Sequence, residues 1–157
     1  MQRRQSMDIQ QLEGQELPTG EITVERWKAF LWADATRNGE DAFRYDERAA
    51  ELGEDGQLVP PTLCQHVAFE ATGGIEQTLG QISDDWKSGA ALGQLRVEFH
   101  APMYVDEPYA VTGEIANIER KDGSQGKLTV VTYAYEVTTT NDEPVYDLEA
   151  DLVLIDT

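Results

Sequence analysis

The side chains able to do acid–base or nucleophilic chemistry are few. The only cysteine is Cys64, and the only histidines are His66 and His100. Cys64 and His66 could suggest a thiol and its base, but two residues apart on a helix they project about 200° from each other. That spacing argues against a local dyad, and Cys64 reads as a small core residue. His66 and Glu70 stand four apart and share a helix face, so an imidazole and a carboxylate could act together on a water molecule. The same spacing equally suits a polar pair that satisfies itself at the core edge or across a subunit boundary. His100, before Ala101-Pro102 at the end of an alternating segment, reads as structural.

A second group lies in the polar stretch over residues 37–45. Asp41 is a carboxylate there that could activate a water. The Arg44 guanidinium suits an anion such as a phosphate or a carboxylate, and it also suits a surface ion pair with Asp41 or Asp46. Asn38 and Gly39 tolerate the left-handed conformation that closes a helix and read first as a helix stop. One cysteine excludes an intrachain disulfide framework and any multi-cysteine metal site, so no metal is expected. Gly89, Gly93 and the separate Gly73-Gly74 do not form a phosphate-cradling loop with its lysine.

These groups need elements to hold them. Ile22-Thr23-Val24-Glu25-Arg26-Trp27 predicts a helix start, with Thr23 as N-cap, Glu25 in the first turn, and Trp27, Phe30 and Leu31 at helical spacing. That helix should end near Asn38-Gly39. A short second helix over residues 46–52, with a possible Asp cap, ends at Gly53. Pro60 and Pro61 hold the chain extended. After them residues 62–71 carry apolar side chains at 63, 67 and 71 with Cys64 and Ala68 beside them, which predicts a largely buried helix of about three turns ended by Gly73-Gly74.

From Leu95 the period changes to two. Leu95, Val97 and Phe99 alternate with Arg96, Glu98 and His100. Val111, Gly113, Ile115 and Asn117 suggest a second strand, Leu128, Val130 and Thr132 begin a third, and residues 145–155 supply a fourth. Lys121-Asp122-Gly123-Ser124 gives a hairpin signal. A buried helix followed by an antiparallel meander is an α+β arrangement in which the sheet wraps the helix.

The chain has 157 residues, the length of one domain, with 30 acidic residues against 12 basic ones and a formal net charge of -18. Such a surface repels phosphate backbones and anionic membranes, which argues against nucleic acid and membrane partners. Forty per cent apolar residues, with three Trp, six Tyr and four Phe, are too many for a disordered acidic tail. The basic residues are four Lys and eight Arg, and this lysine-poor, carboxylate-rich composition suits solubility in molar salt, hence a halophilic cytoplasm. No apolar run approaches the ~18–20 residues of a membrane span, and the basic start Met1-Gln2-Arg3-Arg4 runs into polar residues, so a cytosolic location is expected.

Trp27-Lys28-Ala29-Phe30-Leu31-Trp32-Ala33-Asp34-Ala35-Thr36, then a polar loop ending in Asp46-Glu47-Arg48-Ala49-Ala50, then Gly56-Gln57-Leu58-Val59-Pro60-Pro61-Thr62, resembles the opening half of a MaoC-like hot-dog domain. Leu95-Arg96-Val97-Glu98-Phe99-His100-Ala101-Pro102-Met103-Tyr104-Val105-Asp106-Glu107-Pro108 resembles that family's passage into its strand meander. The likeness is nearest to the amino-terminal half of double hot-dog dehydratases, related to the dehydratase region of type I fatty acid synthases. It spans roughly residues 10 to 156 of a single domain, 1–157.

The resemblance implies an α+β hot-dog fold, a curved antiparallel sheet around a long central helix, that dimerises by pairing sheets edge to edge. It implies acyl thioesters of coenzyme A or acyl carrier protein as substrate, bound at the interface, with no cofactor. Active members hydrate trans-2-enoyl thioesters to (R)-3-hydroxyacyl thioesters or run the reverse. They use an Asp and a His five residues apart in the pattern Gly-Asp-x-Asn-Pro-x-His, and a backbone N–H from the central helix start. Here the loop is Arg37-Asn38-Gly39-Glu40-Asp41-Ala42-Phe43-Arg44-Tyr45-Asp46. Counting back from Asp46 places Arg44 at the histidine position and Gly39 at the aspartate position, so the acid–base pair is absent. By the resemblance, Asn38, Arg44, Pro61, Thr62 and Leu63 border the acyl-thioester pocket. Some hot-dog thioesterases place an acid on the central helix, which leaves His66 and Glu70, with Asp41, as catalytic candidates. The expected partner is a second hot-dog chain, in a homodimer or in a heterodimer or tetramer. Three roles stay open: an accessory subunit beside a catalytic chain, a stand-alone hydratase with atypical residues, or an acyl-CoA thioesterase.

Overall fold

A computed structural model of the chain describes residues 9–80, 82, 90–123 and 126–155. The basic start Met1-Gln2-Arg3-Arg4, Gly89 and Ser124 of the expected turn lie outside these residues. Strands β1 (Gly20–Thr23), β2 (Ala90–Phe99), β3 (Pro108–Gly123), β4 (Gly126–Thr139) and β5 (Pro144–Ile155) form one sheet in the order β1-β3-β4-β5-β2, with every pairing antiparallel. The helices are α1 (Arg26–Ala35), α2 (Asp46–Glu51), α3 (Cys64–Ala71) and α4 (Gly74–Gly80). This is the α+β arrangement expected, with helix and meander in the expected order.

The expected helix start at Thr23 is a strand instead. Thr23 pairs with Pro108 and Ile22 with Tyr109 at the edge of the sheet, and α1 begins only at Arg26, capped by extended Glu25 without a side-chain cap bond. Ile22 and Thr23 are β-branched, and a neighbouring ladder satisfies their backbone groups better than a helix end would. Helix α1 stops three residues before Asn38. Arg37, not Asn38 or Gly39, takes the left-handed turn, at φ 54°, while the Asn38 N–H donates to the Ala33 carbonyl at 2.8 Å. In α2, Tyr45 holds the cap position and Asp46 is the first helical residue; its Oδ1 accepts from the Gln57 N–H at 2.9 Å. Gly53 closes the helix at φ +84°, as expected.

Pro61–Leu63 form a 3-10 turn that feeds α3, which buries Cys64, Val67, Ala68 and Phe69 against the sheet, with Leu63 from the turn. Two tyrosines tie this layer down: Tyr146 Oη donates to the Cys64 carbonyl at 2.9 Å and Tyr133 Oη to the Thr78 carbonyl at 2.8 Å. Burial pushes both phenols up and keeps them neutral donors. At Gly73 and Gly74, both with positive φ, the helix breaks and resumes as α4, so the central helix is two shorter pieces.

The buried face of β4 is Val131, Tyr133, Tyr135 and Val137, the opposite phase from Leu128, Val130 and Thr132. Register decides this: Val137, Tyr135 and Tyr133 stand across from Val111, Gly113 and Ile115, whose face is the helix side. Gly113 is required there, since a Cβ would lie 2.7 Å from the Tyr135 ring. The register shifts between Ile115 and Asn117, so Ile118 turns into the core and Asn117 out to solvent. The turn signal at Asp122-Gly123 lies within the ladder, where Asp122 pairs with Lys127 and Gly123 with Gly126.

Candidate functional site

The polar loop between α1 and α2 is organised by Arg44. Its side chain is only 12% exposed, and Nη2 donates to Asp34 Oδ1 at 2.7 Å and to the Asn38 carbonyl at 2.7 Å. Nε also reaches Asp34 Oδ1 at 2.9 Å, Nη1 reaches the Glu40 carbonyl at 3.1 Å, and the guanidinium lies over the Phe30 ring at 5.9 Å. Asp41 is a more distant partner at 3.8 Å, and Asp46 pairs with Arg26 instead. The fork therefore sits in a ready-made set of acceptors, and Asp34, in the last turn of α1, is the partner that spacing within the loop did not reveal. Asn38 Oδ1 accepts from the Glu40 N–H at 3.0 Å, so its side chain also folds the loop onto itself.

Below the loop, Gln57 is 1% exposed. Its Nε2 donates to the Phe43 carbonyl at 2.8 Å and its Oε1 accepts from Arg26 Nη1 at 3.3 Å. Arg26 in turn pairs with Asp46 at 2.6 Å and Asp106 at 2.9 Å. The guanidinium and the Gln57 N–H together hold the Asp46 carboxyl below its usual range. This node joins the starts of α1 and α2 to the turn before β3. Nothing in the sequence marks Gln57 as its buried centre.

On the outer face of α3, His66 Nε2 and Glu70 Oε2 lie 2.7 Å apart, with side chains 48% and 47% exposed. Lys28 Nζ also reaches Glu70 Oε2, at 3.3 Å, and Trp32 stacks on the imidazole at 6.3 Å between centroids. The Trp32 indole N–H donates to Thr62 Oγ1 at 2.9 Å. The helix spacing does bring His66 and Glu70 together, but α1 adds a cation and an aromatic ring, so the carboxylate is shared. His100 faces Asp147 at 2.8 Å on the sheet surface.

Where the loop, the start of α3 and the end of β2 converge, there is an apolar cavity of about 150 Å³. Phe43, Pro61, Cys64, Phe99, Met103 and Tyr146 form much of its wall. Of the residues expected at the pocket, Pro61 lines it directly. Thr62 is exposed and holds Trp32, Leu63 is fully buried in the core, and Asn38 and Arg44 shape the loop. Burial raises the Cys64 thiol above its ordinary value, which keeps it neutral. Among the described residues no three His, Cys, Asp or Glu side chains are grouped to hold a metal ion, and no helix is long and apolar enough to cross a membrane.

The family described as "FAS1-like, dehydratase domain region" matches residues 11–148. No curated protein matches the chain. Among solved structures it is similar to the C-terminally truncated HadBC (3R-hydroxyacyl-ACP dehydratase) complex from Mycobacterium tuberculosis. That match has 20% identity and a TM-score of 0.75, covering 90% of this chain and 96% of that one. It is also similar to the ChsH1-ChsH2 complex from Mycobacterium tuberculosis, at 16% identity and TM-score 0.73 over 94% and 92% of the two chains. A MaoC-like dehydratase is matched at 18% identity and TM-score 0.79, covering 96% of this chain and 44% of that one. At these identities the likeness is one of fold, and the fold is the hot dog. With most of its length matched by the family, the chain belongs to the FAS1-like dehydratase region family and has the hot-dog fold.

Proposed function

We propose that this chain is a subunit of a MaoC-like hydratase that interconverts trans-2-enoyl and (R)-3-hydroxyacyl thioesters, and that it is the non-catalytic half beside a second hot-dog chain. The observation that carries this is Arg44. It stands at the position that the resemblance assigns to the proton-shuttling histidine, held by Asp34 and two loop carbonyls. Hydration adds water across C2=C3: one group takes a proton from water as its oxygen attacks C3, and another delivers a proton to C2. No electrons are exchanged, so no cofactor is needed. A guanidinium stays protonated at any working pH and does neither job. Asp41, exposed and paired with Arg44 at 3.8 Å, has no imidazole beside it in this loop.

The supporting role also fits strand β2. Among the described residues it pairs with β5 on one side only, and its helix-side residues Leu95 and Phe99 remain 37% and 51% exposed. An uncovered edge with apolar side chains suits pairing with another sheet. The ligand is then an acyl thioester of coenzyme A or of acyl carrier protein at the joint surface, in the cytoplasm.

The test is loss of enoyl absorbance with trans-2-enoyl-CoA of several lengths in molar KCl. No turnover by the chain alone, and turnover once a co-purifying chain of similar size is added, is expected. Full activity by this chain as a lone homodimer overturns the accessory role in favour of a stand-alone hydratase. A second reading, an acyl-CoA thioesterase, is favoured by the 2.7 Å contact of His66 with Glu70. Glu70→Gln would abolish thioester hydrolysis without loss of dimerisation if that reading holds. The sharing of Glu70 with Lys28 argues for a structural pair instead.

A further inference from the structure

The cavity beside the loop is unlike the other surface depressions in its chemistry. Every lining side chain is a hydrocarbon, a proline or a thioether, apart from the Cys64 thiol and the Tyr146 phenol. The phenol's proton is already used, because its hydroxyl donates to the Cys64 carbonyl. The thiol is a weak donor at best. A charged or hydrogen-bonding group placed there would lose its water and gain no partner. The occupant must therefore be apolar throughout.

The wall is graded from mouth to floor. Pro61, Phe99 and Ala101 are exposed, whereas Cys64, Met103 and Tyr146 are buried, so the cavity opens at the end of β2 and closes against α3 and β5. Phe43 places the opening beside the Arg44 loop. An apolar volume of about 150 Å³ is enough for a molecule the size of benzene. We propose that this chain seats the apolar end of the acyl group in this cavity, and that the closed floor limits that end to about six carbons or a single ring. The inference rests on the acyl-thioester reading given above and adds the substrate class to it.

The test uses the protein as isolated, with any second chain that accompanies it, titrated calorimetrically with butanoyl-, hexanoyl-, octanoyl- and dodecanoyl-CoA. Each methylene that enters an apolar pocket tightens binding about fourfold. The expected result is a gain of about that size per methylene up to octanoyl, whose six terminal carbons fill the cavity, followed by no gain or a loss at dodecanoyl. Cys64→Leu, which fills the floor, should move the break to hexanoyl. Ala101→Leu, which narrows the exposed mouth with little demand on the core, should do the same if the floor variant fails to fold. Affinity that climbs evenly through dodecanoyl and ignores Ala101→Leu overturns the inference but leaves the hydratase reading standing. The same indifference, with chain pairing weakened by Ala101→Leu, would overturn it by showing the cavity to hold a partner's side chain. No binding of any acyl-CoA overturns both the inference and the reading beneath it.

Discussion

Arg44 makes four short donor contacts from a side chain that water barely reaches, and two of its acceptors are backbone carbonyls of its own loop. Arg44→Ala would leave Asp34 and those carbonyls without their charged partner. It should lower stability by about 2–3 kcal/mol in urea unfolding. Arg44→Lys should recover only part of that loss, since an ammonium cannot span the fork. Glu70→Gln, by contrast, removes a half-exposed ion pair and should shift stability by less than about 0.5 kcal/mol. A pH effect follows from Tyr104, whose hydroxyl donates to Glu54 at 2.6 Å. That bond pushes the Tyr104 pKa up to about 12 from its ordinary 10. A raised folded pKa favours the protonated form in the native state, so the contribution is complete below pH 10 and is lost as pH rises toward 12. Asp46 acts in the opposite sense: its lowered pKa contributes above its ordinary value of 3.8 and fades as the solution is acidified below that. Unfolding titrations of wild type against Tyr104→Phe would isolate the alkaline effect.

Between elements, Gly20 of β1 closely approaches the end of α3. A Cβ on Gly20 would lie 1.8 Å from the Ala71 carbonyl oxygen. Since the obstacle is backbone, Gly20→Ala should force β1 and α3 apart and cost roughly 2–4 kcal/mol, read by thermal or urea denaturation. Tyr135 behaves otherwise. Its hydroxyl is buried and, among the described residues, has no hydrogen-bond partner; it lies near the hydroxyls of Thr72 and Thr78, whose protons go to helix carbonyls. Tyr135→Phe should therefore be neutral or stabilising by about 1 kcal/mol, and a loss of more than that would mean the phenol is satisfied in solution. These elements were unevenly legible. Gly53 after α2 and the pair Gly73-Gly74 after α3 were readable because positive φ is a local demand that glycine meets. The phase of β4 was not, because Leu128, Val130, Val131, Tyr133 and Tyr135 offer apolar groups on both faces, and only the register to β3 selects one.

For the whole molecule, a formal charge of -18 on 157 residues means that folding gathers repelling carboxylates onto one surface. The screening length falls from about 10 Å at 0.1 M salt to about 3 Å at 1 M. The melting temperature should accordingly rise between low and molar KCl, and a flat response would remove the case for adaptation to salt. Among the described residues, Arg26, Lys28, Arg44, Arg48, Arg96 and Lys121 each stand within 4.0 Å of a carboxylate. At the edge, Leu92, Leu95 and Phe99 on β2 are exposed apolar groups that a second sheet would cover.

What the sequence alone determined was whatever depends on neighbours along the chain. The proline-led buried helix, the change from a helical to a two-residue period at Leu95, the absence of a histidine between Arg37 and Asp46, and the shared face of His66 and Glu70 are all consequences of local spacing. The tertiary structure alone decided what depends on partners far away in sequence. It made Thr23 a strand residue by setting it against Pro108, turned Ile118 inward by a shift in the β3–β4 register, and gave Arg44 its partner in Asp34. It also enclosed the apolar cavity with Phe43, Cys64, Phe99 and Tyr146, which come from four separate segments. Backbone conformation is biased residue by residue, whereas hydrogen-bond partners and enclosed volume exist only once distant segments have packed.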